Sequence, residues 1–165
     1  MKPFVFCPIC GKKLEPAVLE ERDRMLCPEC GWVHYRNPLP VAIAFTRNMK
    51  GEVLLIRRAH EPAFNHWALP GGFIESSEQA HEGCLRELWE ETAIEGSIES
   101  LVGVYHREST MYGSLIAIAY RVLASHENIC INHEVFEAGF YRADRLPEVT
   151  IPLHRQIIEE SLANG

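Results

Sequence analysis

Apolar and polar positions follow two different rhythms along this chain. Residues 41–46 form a nearly continuous apolar run of strand length, and Asn48-Met49-Lys50-Gly51 carries turn chemistry. Residues 52–58 form a second strand, so the pair reads as a hairpin. Trp67-Ala68-Leu69-Pro70-Gly71-Gly72 ends in a bend. From Ser76 the apolar spacing lengthens to that of a helix. Ser76 with Gln79 three residues on fits a capping box. The helical pattern runs to about Ala93, with Gly96 closing it. Cys84, Leu85, Leu88 and Trp89 offer its apolar surface. Residues 97–107 and 114–124 read as two further strands, the second strongly apolar, and residues 136–141 as a shorter one. Residues 152–163 read as a helix with Pro at its first position. Its Leu153, Ile157, Ile158 and Leu162 recur at helical spacing, which assigns them to packing. No internal repeat or low-complexity tract interrupts the order. A β-rich chain with two helices predicts an α+β class, a sheet sandwiched by helices.

Composition narrows this picture. At 165 residues with 47% apolar and 24% charged side chains, the chain is globular and long enough to bury a sizeable core. Sixteen Lys and Arg stand against 23 Asp and Glu, a net charge of -7. That balance argues against a partner held through nucleic-acid phosphates. It leaves room for a phosphorylated substrate, because a bound cation inverts local charge. The opening Met1-Lys2-Pro3-Phe4-Val5-Phe6-Cys7 has too short an apolar run for an export signal, and nothing approaches a membrane-spanning stretch. The expected setting is the cytoplasm.

Four of the six cysteines form two knuckles, Cys7-Pro8-Ile9-Cys10-Gly11 and Cys27-Pro28-Glu29-Cys30-Gly31, with 16 residues between them. Two residues between cysteines let both sulfurs of one turn reach one metal. The glycine after each pair permits a positive φ, which turns backbone N–H groups toward the thiolates. Two such turns complete a tetrahedron. Without an export signal, disulfides are the weaker reading. Cys7, Cys10, Cys27 and Cys30 are therefore expected to hold a structural Zn²⁺, with no open coordination position. The metal is expected to supply most of the folding free energy of this small module, on the order of 10 kcal/mol. His34 reads as a surface or packing residue, and Cys84 and Cys130 as small buried hydrophobes. Tyr35-Arg36-Asn37-Pro38-Leu39-Pro40 reads as a connection. It predicts a ribbon over residues 1–36 and a second domain over residues 37–165.

The first long helix carries the second candidate site. Glu87, Glu90 and Glu91 stand at i, i+3 and i+4 and project from one face. Like charges so placed repel. A divalent cation removes the conflict, and hard oxygen donors suit Mg²⁺ or Mn²⁺. A solvated acidic face is the bland alternative for such a triplet in isolation. The Gly71-Gly72 bend just upstream, able to aim backbone groups at a ligand, tips the reading toward a site.

With its spacing, the segment is Gly72, five residues, Glu78, seven residues, then Arg86-Glu87-Leu88-Trp89-Glu90-Glu91-Thr92-Ala93-Ile94. This resembles the Nudix box, G-x5-E-x7-R-E-U-x-E-E-x-G-U with U an apolar residue. Ala93 alone departs, standing where the family has Gly. The ribbon, a Tyr-x-Asn-Pro link and this box together resemble the zinc-ribbon Nudix hydrolases. One group of these acts on NADH and NAD-capped RNA and carries an S-Q-P-W-P-F-P-x-S motif, which does not occur between Ile94 and Gly165. The link and C-terminal part look closer to the group acting on ADP-ribose and FAD.

The resemblance implies a mixed sheet between helices and hydrolysis of a diphosphate linkage, releasing a nucleoside monophosphate. It implies that Glu87, Glu90 and Glu91, with a carbonyl at Gly71 or Gly72, hold Mg²⁺ or Mn²⁺. Arg86 would orient Glu87 by a charge-assisted hydrogen bond, and Glu78 would support the site. Glu87 is the first candidate base, and Glu134 and Glu137 are later ones. Arg57 and Arg58 are candidate phosphate contacts; Phe64, His66 and Tyr112 are candidate stacking groups, though core or rim packing is the favoured reading of each. Two other readings stand beside the enzyme. One is a nucleotide-sensing or nucleic-acid-binding module. The other, compatible with catalysis, is a homodimer in which Phe4, Phe6, Trp32 and Tyr35 of the ribbon cover a partner.

Overall fold

The computed structural model describes residues 4–163. Residues 1–3 and 164–165, the outer ends of the two expected domains, lie outside the described residues. The N-terminal module is a three-stranded antiparallel sheet, β1 (Glu15–Leu19), β2 (Arg22–Leu26) and β3 (Val33–His34), in the order β1-β2-β3. Its buried apolar cluster is Cys7, Leu14 and Cys27, with Met25 and Trp32 packed against it. His34 is half-buried and stacks on Trp32, the packing role expected of it.

The rest is a seven-stranded mixed sheet with one helix on each face. Its members are β4 (Leu39–Arg47), β5 (Val53–Arg58), β6 (Trp67–Ala68), β7 (Gly71–Phe73), β8 (Gly96–Ser109), β9 (Gly113–Ala124) and β10 (Val135–Tyr141). The main path runs β10-β5-β4-β9-β8, with β6 on β5 and β7 on β4. Among the described residues, only β4 and β9 run parallel. Helix α1 (Ala80–Thr92) covers one face through Cys84 and Leu88, against Ala42, Ala44, Leu54 and Val122. Helix α2 (Pro152–Ala163) covers the other through Ile157 and Ile158, against Ile43, Phe45, Val53 and Leu55. Alternate residues of β4 thus feed opposite layers, as a strand buried on both faces requires.

Three local expectations are corrected. The hairpin of β4 and β5 is joined at one pair, Arg47↔Val53, and then opens. Beyond it β6 and β7 occupy the gap, so the second backbone edge of each strand is satisfied by a different segment. Helix α1 starts at Ala80 with Gln79 as N-cap, paired reciprocally with Glu82, rather than with Ser76. Residues 75–78 instead form a turn in which Glu78 reaches back to the Glu75 N–H at 2.8 Å. The helix is closed by Ala93 in the left-handed conformation, φ 55°, while Gly96 opens β8. Among the described residues, no helix is long and apolar enough to cross a membrane.

Candidate active site

The opening of β4 from β5 creates the floor of the site. Strand β7 lies along β4, pairing Ile43 with Gly71 and Ala42 with Gly72. A side chain at Gly71 would meet the Ala42 carbonyl at 2.3 Å, and φ there is 153°, a conformation few side chains adopt. A side chain at Gly72 would meet the Glu87 carboxylate at 2.5–2.6 Å. Gly71 is closed to any other residue, and a side chain at Gly72 would displace Glu87, so the two glycines let α1 press its acidic face directly on the bend. The Gly71 N–H donates to Glu91 at 2.9 Å.

Arg86 uses all five of its N–H donors. Nε and Nη2 fork onto Glu78 at 3.0 and 2.6 Å, and Nη2 also donates to the Phe73 carbonyl at 2.9 Å. Nη1 bridges Glu87 at 2.8 Å and Glu90 at 3.0 Å. A lysine could not reproduce this fork. The Arg86 guanidinium, with the Glu75 N–H, holds Glu78 down to about 2, well below the usual carboxylate range. Glu78 is thus the main partner of Arg86, and Glu87 is steadied as well.

Glu91 is 4% exposed. Burial pushes its carboxyl up to about 8, against the Gly71 N–H and with Glu87 and Glu134 adding to the rise. Burial also raises Glu87, with Glu90 and Glu134 adding and Arg86 opposing. Five carboxylates (Glu78, Glu87, Glu90, Glu91 and Glu134) therefore share two guanidiniums, Arg86 and Arg58. The oxygens of Glu87, Glu90 and Glu91 do not converge here; two lean on Arg86 and one on Gly71. Hard oxygen donors in local excess of negative charge fit a divalent cation such as Mg²⁺.

The remaining candidates divide by strand face. Arg58 lies close enough to Glu91 to lower it. Glu134 follows the loop before β10, and its carbonyl accepts the Ala59 N–H. Arg57 turns elsewhere: it pairs with Glu137 at 3.1 Å and Asn65 at 2.9 Å and lies over the Phe136 ring. The fold brings neither Arg57 nor Glu137 into the bonds of the acidic cluster. Tyr112 packs edge-on against Phe73, Phe64 against Phe136, and His66 meets Thr150 at 2.6 Å. Two expectations fail: Trp89 is 56% exposed rather than packed on the core, and Cys130 is exposed rather than buried. Cys84 is buried as expected. Sequence reasoning missed His154, whose Nδ1 accepts the Leu69 N–H at 3.0 Å. Its only signal was a polar residue among the helical repeats of α2.

The ribbon carries the other constellation. One ligand atom from each of Cys7, Cys10, Cys27 and Cys30 lies within 4.8 Å of the rest, the one such group of three or more among the described residues. The sulfur separations of 3.4–3.6 Å exceed any disulfide. They approach the edge of about 3.8 Å expected for a tetrahedron of Zn–S bonds near 2.3 Å. Gly11 and Gly31 take φ of 73° and 75°, and the Ile9 N–H points at the Cys7 sulfur at 3.4 Å. The Cys30 N–H draws the Cys27 thiol down to about 7.

Comparison with known proteins follows the same division. The family model described as NUDIX domain matches residues 37–161, and that of the Nudix N-terminal zinc ribbon matches residues 5–36. An ADP-ribose pyrophosphatase of Methanocaldococcus jannaschii is 29% identical over 153 residues, covering 91% of this chain and 85% of that protein. The NAD-capped RNA hydrolase NudC of Salmonella heidelberg is 29% identical over 160 residues, and this chain spans 60% of its length. The crystal structure of a NUDIX hydrolase from Nitrosomonas europaea superposes with a TM-score of 0.83 at 25% identity, covering 97% of this chain and 93% of that one.

Proposed function

The chain belongs to the Nudix family, and from that premise we propose that it hydrolyses the diphosphate linkage of a nucleoside diphosphate derivative, ADP-ribose or FAD, with release of a nucleoside monophosphate. The observation that carries this reading is the docking of Glu91 and Glu87 on Gly71 and Gly72 with Arg58 alongside. Glu87, Glu90, Glu91 and the Gly72 carbonyl would hold Mg²⁺ or Mn²⁺. Such a cation, when bound, neutralises the diphosphate and activates the attacked phosphorus. Arg86 bridges and aims Glu87 and Glu90, with Glu78 anchoring the guanidinium from behind. Glu87 keeps one oxygen on Arg86, and its raised proton affinity suits the second to accept the proton of the attacking water. Glu134 reinforces that affinity from the facing loop. Arg58 compensates charge on the departing phosphate.

The ribbon and the hydrolase domain meet between Arg36 and Asn37 in this reading, and the four cysteines hold one Zn²⁺. The enzyme works in the cytoplasm. Phe4, Phe6 and Tyr35, exposed on the ribbon, support its pairing as a homodimer, which light scattering would measure. The NudC relative supports NAD-capped RNA as the second substrate arm, and the resemblance of the sequence adds NADH. The test is a panel of ADP-ribose, FAD, NADH and NAD-capped RNA with Mg²⁺ and product identification. Release of a nucleoside monophosphate from ADP-ribose or FAD is the expected result. Binding without cleavage across the panel, by folded protein, would leave a nucleotide sensor instead.

A further inference from the structure

Residues 69–71 cross the gap between the β5–β6 pair and the β4–β7 pair, and each residue spends one backbone group on a different element. The Pro70 carbonyl accepts the Ala44 N–H of β4 at 2.9 Å. The Gly71 N–H donates to Glu91 of α1 at 2.9 Å. The Leu69 N–H donates to His154 Nδ1 at 3.0 Å, in the first turns of α2. Helices α1 and α2 lie on opposite faces of the sheet. A side chain beneath the sheet therefore reaches, through two peptide units, the donor that receives an acidic side chain above it. Leu69 and Pro70 are buried, so water offers no replacement acceptor, and an orphaned N–H there carries the full cost of desolvation.

We propose that His154 is a positioning residue of the active site, fixing the 69–71 strap so that Gly71 meets Glu91 and Gly72 meets Glu87. The inference rests on the reading of those glutamates as holders of a divalent cation. The bond dictates the tautomer, with a lone pair on Nδ1 and the proton on Nε2. Burial and then Arg58 hold the imidazole down to about 4, which keeps the acceptor available at neutral pH. A residue serving only to pack α2 needs no acceptor. The strap needs one at the first atom beyond Cγ, where Asn Oδ1 can stand in and Leu cannot.

The test uses the full zinc-loaded chain and three proteins: wild type, His154→Leu and His154→Asn. Amide exchange is followed by NMR without added magnesium. His154→Leu should speed exchange at Leu69 and Gly71 by about 10-fold or more, while Gly51 and Ala93, bonded elsewhere, stay within about 2-fold. His154→Asn should restore the slow rates. In activity assays the magnesium concentration for half-maximal rate should rise about 10-fold in the Leu variant, the effect of losing a supporting partner, and return in the Asn variant. Uniformly faster exchange across the sheet, or an unchanged Gly71 amide in the Leu variant, would overturn the inference. If the wild type cleaves no diphosphate, the proposed function falls, and the exchange arm still decides the role of His154.

Discussion

The ribbon and the acidic face of α1 each offer donors for a cation, and under the proposed function they would use it in opposite ways. In the ribbon, two of the three buried apolar side chains are themselves cysteines, Cys7 and Cys27. A metal held by these soft sulfurs would stand where a core would be. In the hydrolase domain, two apolar layers are complete on either side of the sheet. There a cation would relieve repulsion among carboxylates that already share one helix face. The electrostatics differ as well: burial pushes Glu91 up to about 8, toward the acid, whereas in the ribbon a backbone N–H draws Cys27 down to about 7 while burial and the neighbouring sulfurs push Cys30 up to about 12. One site would be made by its ion, and the other would trade a proton for it.

The largest effect should come from removing zinc. Chelation is expected to unfold the ribbon, forfeiting on the order of 10 kcal/mol, while amide signals of β4, β5 and β9 persist. Loss of the whole sheet in the same step would erase the contrast between the two regions. Next comes Glu91→Gln. Activity should fall by more than the ~100-fold that accompanies loss of a supporting partner, yet the magnesium-free protein should melt no lower at pH 8, because a neutral amide replaces a buried acid. Retained turnover would remove Glu91 from the site.

A pH series sharpens the electrostatic half of the comparison. The folded pKa of Glu91, about 8, lies above its unfolded value of 4.5. Its stabilising contribution is thus complete below about pH 4.5 and is lost as pH rises through 8. In zinc-loaded, magnesium-free protein the melting temperature should carry a declining component across that window. The component should be absent in Glu91→Gln and reduced by added Mg²⁺; a slope identical in both proteins would assign it to other groups. The smallest effect is at Ala93. Its left-handed φ of 55° costs a side chain about 1 kcal/mol, so Ala93→Gly should raise stability by about that much with turnover unchanged. No gain in denaturant melts would mean the turn is held by the Ala93 N–H bond to Trp89 alone.

Much of this was legible in the chain. Cysteine spacing announced the ribbon, because ligand geometry is local. The i, i+3, i+4 glutamates announced an acidic helix face for the same reason. Pro152 at the first position of α2 fixed that helix to the residue. What escaped depended on partners distant in sequence. Past Arg47 and Val53, β4 pairs with β7 and β5 with β6, a pairing that no local pattern records. Arg57 and Arg58 are adjacent letters on opposite faces of β5, and pleat alone cannot say which side meets α1. Ser76 lost the cap because Glu78 was already committed to Glu75 and Arg86. His154 escaped because its partner, the Leu69 N–H, lies 85 residues away in sequence.

Strand β4 begins three residues after Arg36, and its first half is the rail on which the glycine bend is threaded: Pro40 receives the Ile74 N–H, and Val41, Ala42 and Ile43 face Phe73, Gly72 and Gly71. The front module is therefore exchangeable only as far as the link. A cut before Leu39 would free it like a detachable handle. One made a few residues later would unzip the rail and let the bend swing away from the helix it serves.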